Sequence, residues 1–73
     1  MYYTFSGKVR MALKNQPNIY LEVVFLESTP LLIKADSEQE AESMLENWAL
    51  VNVGAYTEFS EFSYDGRFEK YDG

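Results

Sequence analysis

One segment of this chain has helical periodicity, and the segments on both sides of it alternate between apolar and polar residues. From Ser37 to Val51 the apolar side chains recur at spacings of three and four residues, which places them on one side of an α-helix. They are Ala41, Met44, Leu45, Trp48, Ala49 and Val51. An amphipathic helix buries one face only and needs an apolar surface to pack on. The sequence therefore predicts a single helix lying on one face of a sheet.

The ends of this helix carry residue types that begin and end helices. Ser37 is followed three residues later by Glu40, which is capping-box spacing, and the serine hydroxyl can accept a hydrogen bond from a free backbone amide. Asn52 and Gly54 suit the C-terminal end. We expect the helix to span Ser37 to Val51.

The segment before the helix predicts three strands. Residues 2–14 alternate in polarity, and their apolar face comprises Tyr3, Phe5, Val9, Met11 and Leu13. Turn residues at 15–18 precede a second strand over residues 19–26, which is partly apolar on both faces. Residues 31–35 form a short third strand. Gly7 lies on the apolar face of the first strand and indicates a bulge, the close approach of a large neighbour such as Trp48, or an ordinary strand glycine.

The segment after the helix is rich in aromatic residues and contains Asp65-Gly66. An Asp-Gly pair between two such runs predicts a tight hairpin and therefore two further strands. The spacing of Phe59 and Phe62 breaks the alternation by one residue, which predicts a bulge or an outward-facing ring. The predicted fold class is α+β, a small antiparallel sheet of four or five strands in the order β-β-β-α-β-β with one amphipathic helix packed on one face. We expect a single domain over residues 1–73, with disorder confined to the last few residues.

The composition excludes several kinds of chemistry. With no cysteine and no histidine, the chain cannot form a disulfide, a Cys/His zinc site or a Ser-His-Asp or Cys-His nucleophile. Its four scattered glycines match no phosphate-binding loop, and no aspartate-rich calcium loop is present. We expect no catalytic residue, no cofactor and no metal. Self-association is the remaining way to stabilise so small a core.

The location of the protein is also an expectation from composition. The first residues lack the basic region of a signal peptide, and the longest apolar run, residues 23–26, is much shorter than a membrane span. The absence of cysteine fits a reducing compartment. We expect a cytoplasmic protein that makes no contact with a membrane.

The net charge of −6 is unevenly distributed along the chain. Residues 1–35 carry four basic and two acidic side chains, whereas residues 36–73 carry two basic and ten acidic ones. Such an acidic field repels phosphate backbones and attracts basic surfaces. Duplex nucleic acid is therefore a poor partner, and a protein with a basic surface is a better one.

A row of glutamates on the predicted helix is the leading candidate for a contact surface. Glu38, Glu42 and Glu46 recur every fourth residue, so they stand about 6 Å apart on the side of the helix that faces away from the packing stripe. The expected partner-binding residues are Glu38, Glu42, Glu46, Glu58, Glu61 and Asp65. The alternative, and the commoner role of such a row, is a solvated face that keeps the protein soluble.

These observations favour a protein-binding module without catalytic activity, such as a small acidic inhibitor or adaptor that contacts a basic surface of a nucleic-acid-handling protein. Compact, acidic, cysteine-free chains of this length are common among phage and mobile-element products.

Two alternative functions stay open. In the first, aromatic residues on the sheet bind single-stranded nucleic acid, with Lys8, Arg10 and Lys14 supplying positive charge near Tyr2 and Tyr20. In the second, the chain is a structural domain that self-associates through Val24 and Leu26, on the partly apolar second face of its second strand.

Overall fold

A computed structural model describes residues 1–53 and 58–72 of the chain. Over these ranges the elements are β1 (Tyr2–Leu13), β2 (Gln16–Phe25), β3 (Leu31–Lys34), α1 (Glu38–Asn52) and β4 (Phe59–Tyr71). The α+β class and the antiparallel sheet with one helix between its third and fourth strands are confirmed. No described helix is long and apolar enough to cross a membrane.

β1 is the centre of the sheet, because each of the other strands pairs with it. β4 pairs antiparallel with β1 over Tyr2–Leu13. β2 pairs with residues 7–13 of β1, and β3 pairs with residues 2–5. Since a strand has only two edges, β2 and β3 lie end to end along the edge of β1 opposite β4. β4 and the β2/β3 pair are therefore the outer strands.

β4 is one continuous strand, so the hairpin predicted at Asp65-Gly66 is wrong. Asp65 pairs with Lys8 and Gly66 with Gly7, in unbroken register with β1. The turn preference of Asp-Gly is local, whereas the long central strand offers backbone partners to the whole segment, and this pairing outweighs the local preference. The two strands predicted after the helix are a single one.

The bulge predicted from the spacing of Phe59 and Phe62 is confirmed. Between Ala12 and Leu13 the partner on β4 changes from Glu61 to Phe59, which makes Ser60 the extra residue. The Ser60 hydroxyl donates a hydrogen bond to the Ala12 carbonyl oxygen at 3.2 Å. The bulge lets the two phenylalanine rings stack, with their centroids 5.7 Å apart.

The second strand is shifted relative to its prediction. The turn occupies residues 14 and 15, and β2 begins at Gln16, so Pro17 lies inside a strand. Among the described strands, β2 pairs only with β1, and Pro17 lies where the register between them is irregular, between Gln16 and Tyr20. Outer strands and bulges both tolerate the missing N–H of a proline. Leu26 falls outside β2, in a tight turn closed by a hydrogen bond of 3.0 Å from the Thr29 amide to the Leu26 carbonyl oxygen.

The hydrophobic core lies between α1 and one face of the sheet. Its buried residues are Phe5, Val9, Met11, Ile33, Ala35, Ala41, Leu45 and Ala49. Beside them the Trp48 ring packs against Phe25, with centroids 5.1 Å apart. Met44 and Val51 were predicted to pack but are 39% and 42% exposed. The sheet is narrow, so it buries only the helix residues that face it directly, which are Ala41, Leu45 and Ala49.

α1 begins where the sequence predicts. Ser37 is the N-cap, and its Oγ accepts a hydrogen bond from the Glu40 amide at 3.1 Å. The helix continues to Asn52, one residue beyond the predicted end. The predicted stop residue Gly54 lies outside the described residues, as does Gly73 at the end of the tail.

Gly7 and Gly66 approach each other closely across the β1–β4 pair. Gly7 has a φ of 140°, a backbone conformation that favours glycine. A Cβ on Gly66 would lie 2.8 Å from Gly7 Cα and 2.9 Å from Phe5 Cζ. The nearest neighbours of this glycine pair are therefore the facing backbone and the Phe5 ring.

Candidate functional site

The row of Glu38, Glu42 and Glu46 lies along the flank of α1 that is next to β4. Glu42 Oε1 accepts a hydrogen bond of 2.6 Å from the Tyr64 hydroxyl. Glu42 lies about 60° around the helix from Leu45, which points into the core, so it stands beside the packing stripe and not opposite it. The prediction that this row faces away from the sheet is therefore wrong.

A groove runs between this flank of the helix and β4. It has a volume of about 390 Å³, and its lining includes Glu42 and Glu46 from α1 and Phe62 and Tyr64 from β4. Glu42 contacts Tyr64, whereas Glu46 and Leu50 also border residues 58–62 at the beginning of β4. Helix and strand thus run alongside each other in opposite directions.

Tyr64 connects the glutamate row to β4. Its hydrogen bond to Glu42, followed by partial burial and the negative charges of Glu42 and Glu38, raises the pKa of Tyr64 from 10.0 to about 12. Each of these effects favours the neutral phenol, which is the form that donates a hydrogen bond. The hydrogen bond from this phenol places the Glu42 carboxylate beside β4.

No cation in the described part of the chain is paired with this row. Among residues 1–53 and 58–72, the ion pairs involve Glu22, Glu27, Glu58 and Glu69, and none of them involves a carboxylate of α1. The last turn of the helix contains no basic residue either. The charge of the row is therefore open to a cation from outside the chain.

Glu58 and Glu61 lie near Glu46, but each has a partner within the chain. All three residues contribute to the lining of a second groove of about 400 Å³ at the beginning of β4. Glu58 forms an ion pair with Lys14 Nζ at 3.2 Å, and Glu61 accepts a hydrogen bond from the Tyr20 hydroxyl at 3.2 Å. The Glu61 side chain points to the face of the sheet opposite α1, because Glu61 lies opposite Ala12 and alternates with Phe62 and Tyr64. Glu58 contributes less free charge than the helix row, because Lys14 neutralises part of it.

Asp65 does not join this cluster. Consecutive strand residues point to opposite faces of a sheet, so Asp65 points away from the side on which Tyr64 meets the helix. It lines a different depression, with Glu27 and Arg67 among its neighbours. The structure therefore separates Asp65, and Glu61 on the same face of β4, from the glutamate row of α1.

The outer edge of β4 is a feature that the sequence reasoning missed. Among the described strands, only β1 pairs with β4, so the other edge of this 13-residue strand presents backbone N–H and C=O groups without strand partners. β4 also contains no proline, the residue that most directly blocks an edge. The predicted hairpin concealed this signal, because it divided the segment into two short strands.

The face of the sheet opposite α1, here called the open face, is covered by no described element. Tyr2 lies opposite Tyr71 on β4 and opposite Lys34 on β3, so two tyrosines and a lysine form a row across the strands. The Arg10 guanidinium lies 4.2 Å from the centroid of the Tyr20 ring. Cation and aromatic groups therefore do occur together on this face.

The residues predicted for self-association are exposed. Val24 is 57% exposed on the open face, and Leu26 is 59% exposed in the adjoining turn. Lys8 and Glu22, which also lie on this face, form an ion pair of 3.7 Å. The apolar area here is thus interrupted by charged side chains.

Comparisons with known proteins identify no relative, because no family model, no curated protein and no solved structure matches this chain. Within the described ranges, no group of three or more acidic side chains is arranged to hold a metal ion. The function must therefore be inferred from the surfaces described above.

Proposed function

We propose that this protein is a binding module that contacts a basic surface of another protein through the flank of α1 and the adjoining β4. The observation that carries the proposal is the row of Glu38, Glu42 and Glu46, which has no cationic partner in the described chain and borders an exposed groove. Tyr64 holds the middle carboxylate in place. A row whose middle carboxylate is held at a groove, and which no described cation neutralises, fits a contact surface better than a purely solvated one.

The magnitude of the electrostatic contribution indicates what the row does. Exposed ion pairs contribute about 0.2–1 kcal/mol each, so three of them alone would give only weak binding. Charge rows of this kind mainly accelerate encounter and select the partner, while apolar and backbone contacts provide the remaining affinity. Phe62 and Leu50 in the groove are available for that second contribution.

A regular row of carboxylates imitates the charge of a nucleic-acid backbone. The basic surface that we propose is therefore one that also binds phosphates, which makes the protein a small inhibitor or adaptor of a nucleic-acid-handling protein. This role needs no catalytic residue, cofactor or metal, and we propose that it is carried out in the cytoplasm.

The test compares two charge-matched variants. In the first, Glu38, Glu42 and Glu46 are all changed to Gln; in the control, Glu22, Glu27 and Glu69 are changed to Gln, which alters the net charge equally. Immobilised wild-type protein and the control should retain the same basic proteins from a lysate at low salt, and the first variant should lose them. For a partner identified in this way, the Kd should rise about tenfold in the first variant. Equal retention by all three proteins would show that the row is not the contact surface.

Single-stranded nucleic-acid binding is the second candidate, and the row of Tyr71, Tyr2 and Lys34 on the open face is the observation in its favour. Each stacked base would contribute about 1–3 kcal/mol. Titration with a thymidine oligonucleotide at low salt should then quench tyrosine fluorescence, and Tyr2→Ala should weaken the effect more than Tyr3→Ala. A flat titration would exclude this function.

Self-association through Val24 and Leu26 rests on the exposure of both side chains. If they form an interface, replacing both with Ser should lower the average mass measured by light scattering. A wild-type protein that is monomeric at high concentration would exclude this role.

A further inference from the structure

The outer edge of β4 and the helix row of Glu38, Glu42 and Glu46 lie side by side. We propose that together they bind an extended, lysine- or arginine-rich segment of a partner as an additional strand of the sheet. This inference rests on the proposed function and specifies the form of the basic partner, namely an extended strand and not a pre-folded surface.

The backbone of β4 provides the first half of the proposed site. β4 pairs with β1 on one side only, and its register beyond the Ser60 bulge is regular from Glu61 to Tyr71. In strand addition, main-chain hydrogen bonds to a free edge provide the affinity, and alternate side chains provide the specificity. The regular part of β4 is long enough for both contributions.

The glutamate row provides the second half, because its spacing matches that of a strand. A strand added to β4 would lie about 4.8 Å outside it, and every second side chain would point to the side occupied by α1. These side chains recur at about 6.6 Å, close to the spacing of about 6 Å between glutamates four residues apart on a helix. Successive cations of the added strand would thus face successive carboxylates.

The direction of the helix supports this match. α1 runs alongside β4, with Glu42 beside Tyr64 and Glu46 and Leu50 farther along the same groove, near Phe62. The apolar side chains can cover the methylene stems of lysine or arginine, while the charged ends reach the carboxylates. The groove therefore suits long cationic side chains in particular.

A second copy of this chain is the other occupant that a free strand edge could accept, and the glutamate row argues against it. If two β4 strands paired antiparallel about a two-fold axis, both helices would lie on the same side of the joined sheet with their glutamate rows facing each other. Like charges brought together at an interface are unfavourable. The row thus protects the edge from pairing with itself while leaving it open to a cationic strand.

The experiment uses the full chain and a synthetic peptide of alternating lysine and threonine as the probe. Amide hydrogen exchange is followed by NMR with and without the peptide at low salt. In the free protein, every second amide of β4 should exchange rapidly because it has no strand partner. Saturating peptide should slow these amides at least tenfold, whereas spermine, a polycation without a peptide backbone, should not.

The variants separate this inference from the proposed function. Changing Glu38, Glu42 and Glu46 to Gln should abolish the added protection, and changing Glu22, Glu27 and Glu69 to Gln should leave it intact. If the peptide binds through the row without protecting β4, strand addition is wrong, but the basic-surface function stands. Strand addition is also wrong if the peptide protects β2 or β3 in place of β4, if spermine protects β4 equally, or if the peptide does not bind. The lysate comparison tests the proposed function independently.

Discussion

A side-chain hydrogen bond from Tyr64 to Glu42 joins β4 to α1. The pKa of Tyr64 depends on that contact and can therefore be used to detect it. The hydrogen bond to Glu42 favours the neutral phenol in the folded state. Because the folded-state pKa is raised, the stabilisation is complete below the ordinary pKa of 10.0 and is lost as the pH rises through about 12.

We therefore expect the ultraviolet titration of the tyrosinate form to contain one component near pH 12, which Tyr64→Phe removes. Glu42→Gln should move this component toward 10.0, because it removes the negative charge that accepts the hydrogen bond. Glu22→Gln, a control with the same change in charge, should have no effect. If Tyr64 titrated together with the other exposed tyrosines, the contact with Glu42 would not exist in solution.

Gly66 is the second residue with a specific structural requirement. A Cβ there would overlap the Ser6 carbonyl oxygen and lie 2.9 Å from Phe5 Cζ. We expect Gly66→Ala to lower the free energy of unfolding by about 2–3 kcal/mol, measured by urea denaturation. Ser63→Ala, at an exposed position of the same strand, should change it by less than about 0.5 kcal/mol. Equal stabilities of the two variants would mean that β1 and β4 are not in this register.

At the scale of elements, α1 shows how far a periodic pattern can be trusted. Met44 and Leu45 belong to the same predicted stripe, yet Leu45 is fully buried and Met44 is 39% exposed. Leu45→Ala should therefore cost about 2–5 kcal/mol of unfolding free energy, and Met44→Ala less than about 0.5 kcal/mol. Urea denaturation of both variants measures the difference. Similar losses would indicate that the helix is rotated on the sheet.

β4 shows the opposite case, in which a local signal was misleading. Asp65-Gly66 has the composition of a hairpin turn, but here the glycine is needed for the close approach to Gly7 within a continuous ladder. Nothing within the segment itself distinguishes these two uses of glycine. The difference is made by β1, which is distant in sequence and pairs with every part of β4 except the bulged Ser60.

At the scale of the whole molecule, the shape follows from the β1–β4 ladder. A strand of twelve residues is roughly 40 Å long, which agrees with the longest dimension of 39 Å. One helix covers one face of this long, narrow sheet, so the outer edge of β4 stays accessible along the helix row. The strand addition proposed above assigns to the charges of α1 a part in preventing that edge from pairing with a second copy.

Neutralising the row should consequently promote self-association. We expect the variant with Glu38, Glu42 and Glu46 changed to Gln to show a higher average mass by light scattering than wild type at low salt. High salt should reduce the difference in average mass between the variant and wild type, because at an ionic strength of about 1 M the Debye length is only about 3 Å and the charges of the row are screened. The variant with Glu22, Glu27 and Glu69 changed to Gln should behave as wild type. An equal increase in this control would assign the effect to net charge and not to the row.

The sequence alone determined the features that depend on a few neighbouring residues. Periodicity predicted the helix and the strands before it, the Ser37 hydroxyl marked the helix start, and the spacing of Phe59 and Phe62 predicted the bulge. These features could be predicted because each depends on residues close together in the chain. The hydrophobic period and the helix cap involve one or two helical turns, and the bulge involves a few residues of one strand. The same local information was sufficient for the α+β class.

The tertiary structure decided which edges and flanks remain free. Pairing with β1 kept β4 continuous through Asp65-Gly66, and the narrow sheet left Met44 exposed. The packing of α1 placed Glu42 beside Tyr64, and strand alternation sent Asp65 to the other face. These outcomes depend on segments far apart in the chain, whose long-range pairing outweighs local preference and cannot be deduced from either segment alone.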